Sequence, residues 1–161
     1  MRDVSPDGRV AWEGLVKTSL DGRKSPVWLR PGDILFVARG ARNYALSLED
    51  VPVTAVCSQY FFLLRVKSTG LLPEFLAWQI NRVPAQRYLT KNAEGTDQLS
   101  IRRGVLEALP IAVPPLEQQH RIVALAKDAG RERQILETLI QNREQQLDAL
   151  ALDLHTQLLN R

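Results

Sequence analysis

The chain has 161 residues, of which 45% are hydrophobic and 24% charged, with one cysteine and a formal net charge of +3. That length admits one globular domain plus an appendage rather than two full domains, and the composition is that of a folded chain, not a disordered one. The lone Cys57 excludes an internal disulfide and a cysteine zinc site, which fits a reducing cytoplasm; no apolar run approaches the roughly 20 residues of a membrane helix, and Met1-Arg2-Asp3-Val4 opens no secretory signal.

The charge is unevenly divided. Residues 1–113 hold 15 Lys and Arg against 11 Asp and Glu, a net of +4, whereas residues 114–161 hold 6 against 7, a net of −1. A basic surplus confined to one part is the footprint of a nucleic-acid partner, and equally of a merely basic domain.

In chain order, Asp21-Gly22 and Pro31-Gly32-Asp33 are turn signals. Ile34-Leu35-Phe36-Val37-Ala38 is a short apolar run that predicts a buried strand. Arg39-Gly40-Ala41-Arg42-Asn43-Tyr44 follows it as an expected exposed loop. Val53 to Val66 predicts a second strand region centred on Tyr60-Phe61-Phe62-Leu63-Leu64, with Cys57 as a small buried side chain. Pro73 to Asn81 predicts a helix with Pro73 in its first turn and Phe75, Trp78 and Gln79 at helical spacing. A second short helix is expected over Ala85 to Leu89, and Leu106 and Leu109 are expected to close the core. The fold class is therefore α+β.

Leu109-Pro110-Ile111-Ala112-Val113-Pro114-Pro115 reads as an extended linker, because proline removes backbone donors and biases the residue before it to extended structure. It divides a mixed α/β domain, residues 1–113, from a long helix, residues 114–161. From Leu116 onward there is no proline, and a helix from Glu117 to Asn160 is expected, about 65 Å long at 1.5 Å per residue. Leu136, Ile140, Arg143, Leu147, Leu150 and Leu154 recur in alternating steps of four and three, the heptad spacing of a coiled coil. The seam either pairs with a partner helix or folds back on its own domain; its narrowness favours the partner.

A search for catalysis finds no phosphate loop and no nucleophile elbow, and His120 and His155 both fall on the long helix. Val113-Pro114-Pro115-Leu116 has the prolines of an amino-methyltransferase loop, but a valine cannot accept a hydrogen bond from a target amine. No catalytic residue, cofactor or metal is expected. The polar residues are instead of the types that read DNA: Arg for guanine, Asn or Gln for adenine, and cations for phosphate. Arg39, Arg42 and Asn43 in the first cluster, and Lys91, Gln98, Arg102 and Arg103 in the second, running from Lys91 to Arg103, are the candidate DNA contacts. Each cluster alone also fits an ordinary solvated loop.

Together these segments resemble a known family. Leu29-Arg30-Pro31-Gly32-Asp33-Ile34-Leu35-Phe36-Val37-Ala38-Arg39-Gly40 is similar to the "GDIL…RG" element of type I restriction–modification specificity subunits, and Pro73-Glu74-Phe75-Leu76 to their "PEFL" helix start. Gly95-Thr96, then Leu99, Ile101 and Leu106, then Leu109 through Pro114-Pro115-Leu116-Glu117-Gln118-Gln119 is similar to their "G…L…LPIPLPPLEEQ" stretch, and Ile122-Val123 opens the long helix. The resemblance runs from about Leu29 to the end. It implies a target-recognition domain joined to a spacer helix, double-stranded DNA recognition without catalysis, and assembly with methyltransferase and restriction subunits. Such subunits usually carry two recognition domains and two helices; one of each is expected here, as in a half-subunit, natural or cut from a longer chain. Two copies are expected to rebuild the full arrangement as a homodimer through the helix. The competing readings are a dimerising adaptor that binds protein rather than DNA and, more remotely, a small nuclease.

Overall fold

The computed structural model describes residues 4, 10–19, 26–95 and 99–159. Among them, β1 (Asp33–Val37) is the centre of a three-stranded antiparallel sheet, flanked by β3 (Ala45–Ser47) and β4 (Phe61–Arg65). β1 pairs Leu35 with Leu46 on one side and with Leu63 on the other. All five of its residues are buried, which is why its sequence is continuously apolar after Asp33 instead of alternating. Ile34 and Phe36 point into a core with Ala77, Ile80, Leu89, Ile101 and Leu106, and Phe36 stacks on Phe62 at 6.5 Å between ring centroids. Leu35 points to the other face, where it meets Leu46 and Leu48 under Trp12, Leu29, Val51 and the partly buried Cys57.

The strand predicted over Val53 to Val66 is shorter than expected. Only Phe61–Arg65 is strand. Before it, Ala55 accepts a hydrogen bond from the Leu29 amide at 2.9 Å, and a turn returns the Phe61 amide to the Ser58 carbonyl at 3.1 Å. Backbone groups committed to a neighbouring loop and a turn cannot continue the ladder.

α1 (Pro73–Ile80) and α2 (Val83–Lys91) carry Phe75, Ala77, Ile80, Ala85 and Leu89 inward. Each begins with a proline in its first turn, where the missing amide hydrogen costs nothing. α2 is longer at both ends than the sequence suggested. A five-residue helix, α3 (Arg103–Glu107), was not anticipated; it delivers the expected core residue Leu106, and Leu109 follows just beyond it.

Side-chain amides fix these pieces to one another. Asn81, the residue that ends α1, accepts from the Ala45 amide at 2.8 Å and donates to the Ala45 carbonyl at 2.7 Å. Gln79, two residues earlier, does the same to Ala112, at 2.7 and 2.9 Å. Gln119 is fully buried: it accepts from the Leu72 amide at 2.9 Å and donates to the Gly70 and Pro114 carbonyls at 2.8 and 2.7 Å. The proline-rich stretch thus carries neither helix nor strand and is pinned at Ala112 and Pro114.

The long helix, α4, spans Leu116–Leu159. The division into compact units falls within it, after Val123, so its first two turns belong with the mixed domain that Gln119 ties them to. In the second unit, from Ala124, no described side chain is buried: Leu136, Ile140, Leu147, Leu150 and Leu154 are each 53–63% exposed.

The sheet's one buried carboxylate is Asp33, 1% exposed at the head of β1. Arg65 of β4 meets it with two parallel bonds, Nε to Oδ1 at 2.6 Å and Nη2 to Oδ2 at 2.7 Å, and the Arg30 amide donates to Oδ2 at 3.0 Å. The hydrogen bond that Arg65 donates to Asp33 raises the Arg65 pKa above its ordinary value, against the lesser opposing pull of desolvation. Arg65→Met should lower unfolding stability by about 3–5 kcal/mol, because it strands the buried Asp33 charge. Urea denaturation of the two chains tests this; equal midpoints at equal slope contradict it.

Candidate nucleic-acid interface

The first polar cluster is not the plain loop its sequence predicted. Arg39–Gly40 form a short strand, β2, that pairs antiparallel with β5 (Leu99–Ser100) in the register Arg39↔Ser100 and Gly40↔Leu99. The two clusters, whose paired residues lie about 60 positions apart in sequence, are therefore hydrogen-bonded neighbours. The pairing begins one residue earlier, where the Ile101 amide donates to the Ala38 carbonyl at 2.8 Å. It extends on the far side of β5, where Glu94 and Ser100 exchange both backbone hydrogen bonds at 3.0 and 2.9 Å. Gly95, next to Glu94, has a φ of 91°, in the left-handed region that glycine adopts freely.

Strand periodicity then sorts the side chains. Residues directly opposite each other lie on the same face, as do residues two apart on one strand. Glu94, Ser100 and Arg39 form one cross-strand row, and Arg102 follows Ser100 on the same side. The contact between Arg102 Nη2 and Glu94 Oε1, at 2.8 Å, bears this out. The opposite face carries Ala38 and Ile101, both 2% exposed, into the core. A face with two guanidiniums, a carboxylate and a hydroxyl is held in place by its own strands' apolar backs.

The remaining candidates surround this ribbon. Lys91 is the exposed last residue of α2, three positions before Glu94. Arg103 is the exposed first residue of α3, paired with Glu107 at 2.7 Å. Arg42 is exposed in the bend between β2 and β3. Gln98 lies outside the described residues. Asn43 is a correction: it is 7% exposed, and its amide donates to the Val37 carbonyl at 2.9 Å across the β1–β3 connection. It braces the turn instead of facing outward, since a buried amide must satisfy itself internally. Tyr60, expected within a strand, lies instead in the turn before β4; its carbonyl accepts from the Ala38 amide at 2.9 Å at the base of the ribbon, and the residue is 46% exposed.

No group of His, Cys, Asp and Glu among the described residues is arranged to hold a metal ion. No helix of the described residues is long and apolar enough to cross a membrane.

The structural and surface roles separate in a stability measurement. Asn43→Ala should cost about 1–3 kcal/mol by leaving the buried Val37 carbonyl unpaired. Arg39→Ala and Arg102→Ala should stay within about 0.5 kcal/mol of the parent. Thermal or urea melts of the three variants check both; a large loss for Arg102→Ala would make it a structural residue.

Comparison with known proteins agrees with the geometry. No curated protein sequence matches the chain. A family model, the type I restriction modification DNA specificity domain, matches residues 24–157, which include β1 to β5, α1 to α3 and nearly all of α4. The chain accordingly belongs to the type I restriction–modification DNA specificity family, and its role is DNA recognition rather than catalysis.

Proposed function

We propose that the chain reads a double-stranded DNA site with the β2–β5 face and directs methyltransferase and restriction subunits to it in the cytoplasm. The observation that carries this reading is the common face of Arg39, Ser100 and Arg102, drawn from two clusters distant in sequence. A two-stranded ribbon fits the major groove, roughly 12 Å wide, and arginine and hydroxyl side chains match the base edges displayed there. Lys91, Arg42 and Arg103 flank the ribbon as phosphate contacts, which fix register without reading sequence. The net +4 of residues 1–113 supports the same partner.

α4 supplies the assembly surface. The exposed seam of Leu136, Ile140, Leu147, Leu150 and Leu154 is closed by a second copy in an antiparallel pair, each side chain contributing on the order of 1 kcal/mol or more when covered. Arg143, near the middle of the seam, meets Glu144 or Asp148 of the second copy in that orientation and would face itself in a parallel one. Such a dimer is two-fold, so its DNA site is an inverted repeat with a spacer set by the helices. Ile135 and Leu139 widen the apolar surface to one side, where a methyltransferase subunit can rest.

Binding of duplex DNA should weaken steeply with salt, and the slope of log affinity against log salt counts phosphate contacts. Arg103→Ala should weaken all sequences alike, whereas Arg39→Ala should cost about 1–3 kcal/mol at a cognate site and relax specificity at one position. Binding curves on cognate and scrambled duplexes measure both. Absence of DNA binding by a folded chain that still dimerises would replace this reading with that of a protein-binding adaptor.

Leu147→Asp should convert the dimer to monomer at tens of micromolar, read by analytical ultracentrifugation. A parent chain that is already monomeric there contradicts the dimer, and a methylome with two unlike half-sites contradicts the palindrome.

A further inference from the structure

The Glu94 carboxylate is the one acidic group in the ribbon's row, and its placement asks for an account. Against phosphate it is repelled, so it weakens any surface that only grips the DNA backbone. The fold does not need it either. Its pair with Arg102 is exposed, with side chains 52% and 73% accessible, and pairs of this kind add little stability. Yet its backbone is fixed by two hydrogen bonds to Ser100. An acid held firmly on a cationic face, with no role in the fold, has its favourable partner in a base amino group.

Resting on the reading of this face as the DNA contact, we propose that Glu94 and Arg102 together read one C·G base pair. Arg102 donates to guanine O6 and N7, and the Glu94 carboxylate accepts from N4 of the cytosine paired with it. The cytosine amino group and guanine O6 are hydrogen-bonded to each other, so they lie about 3 Å apart on the groove edge. The carboxylate and guanidinium stand 2.8 Å apart and offer acceptor and donor in the complementary order. The pair is thus assembled before DNA arrives, and binding need not order it.

The same geometry defines what is rejected. Guanine opposite Glu94 sets O6 and N7 against the carboxylate, and thymine sets O4 there; both are acceptor against acceptor. Adenine offers an amino group, but its partner thymine gives Arg102 a single acceptor in place of two. Glu94 is therefore a specificity-determining residue of the face, acting by repulsion as well as attraction.

The test is selection from a library of randomised DNA duplexes, run with the full chain and with its Glu94→Gln, Glu94→Ala and Arg102→Ala variants. The parent should enrich sites with C·G at one position. Glu94→Gln, whose amide also donates, should lose about tenfold or more of the preference at that position and keep the others. Both Glu94 variants should bind random-sequence duplex more tightly than the parent, with a salt slope steeper by up to about one contact, because Arg102 is freed for phosphate. Their melting temperatures should match the parent's. If the parent enriches a site and both Glu94 variants enrich the same site with the same preferences, the base-pair reader is wrong and the DNA-reading face stands. If the folded parent enriches nothing, the DNA-reading face falls, and this inference falls with it.

Discussion

A carboxylate taken almost wholly out of water needs its charge answered, and at Asp33 the answer comes from the neighbouring strand. Arg65 spans the sheet edge with a bidentate fork and reaches the Trp28 carbonyl at 3.1 Å as well. The geometry leaves little freedom, since a planar guanidinium and a carboxylate match in one arrangement. That arrangement fixes Asp33 opposite Arg65, and with it the register Ile34↔Leu64, Leu35↔Leu63 and Phe36↔Phe62. A slip of one residue would exchange the two faces of β1, sending Leu35 into the helical core and Phe36 out of it. Everything downstream inherits that register, including Ala38, from which the ribbon begins.

The second level of order is amide, not ionic. Asn81 caps the edge of β3 at Ala45, and Gln79 and Gln119 treat stretches of irregular backbone as a strand would, satisfying donors and acceptors from the side. Such clamps suit a small domain whose sheet has only three strands. They hold β3, the proline stretch and the first turns of α4 without needing further apolar surface. Replacing Asn81 or Gln119 leaves part-buried backbone groups without their partner, so these two clamps act as joints of the framework.

The framework was largely legible in the sequence because its signals are local. The apolar run after Pro31-Gly32, the Pro-led helix at Pro73 and the heptads of α4 each announce themselves within a dozen residues. The candidate contacts were legible as residue types but not as an arrangement. Nothing near Arg39 says that it pairs with Ser100, since that contact is long-range. Leu99-Ser100-Ile101-Arg102 does alternate with period two, and that alternation was the available sign of a strand with one wet face. Asn43 was misjudged for a related reason. An asparagine in a turn is as often a backbone brace as a surface group, and only the fold shows that its amide closes on Val37. The clamping roles of Gln79 and Gln119 were invisible, because glutamine on a helix gives no hint of whether it meets solvent or a distant backbone.

The ribbon is built so that successive positions have separate masters. Beyond β5, Ile101 answers to the interior, while the exposed Arg102 answers to whatever lies outside. Mutation at the outward positions is therefore nearly invisible to folding, and mutation at the inward ones is nearly invisible to recognition. For a family whose members must diverge in the DNA they read while keeping one scaffold, such a strand is a substrate for rapid change. Under the proposed reading of this face, outward substitutions change what is recognised and leave the fold in place.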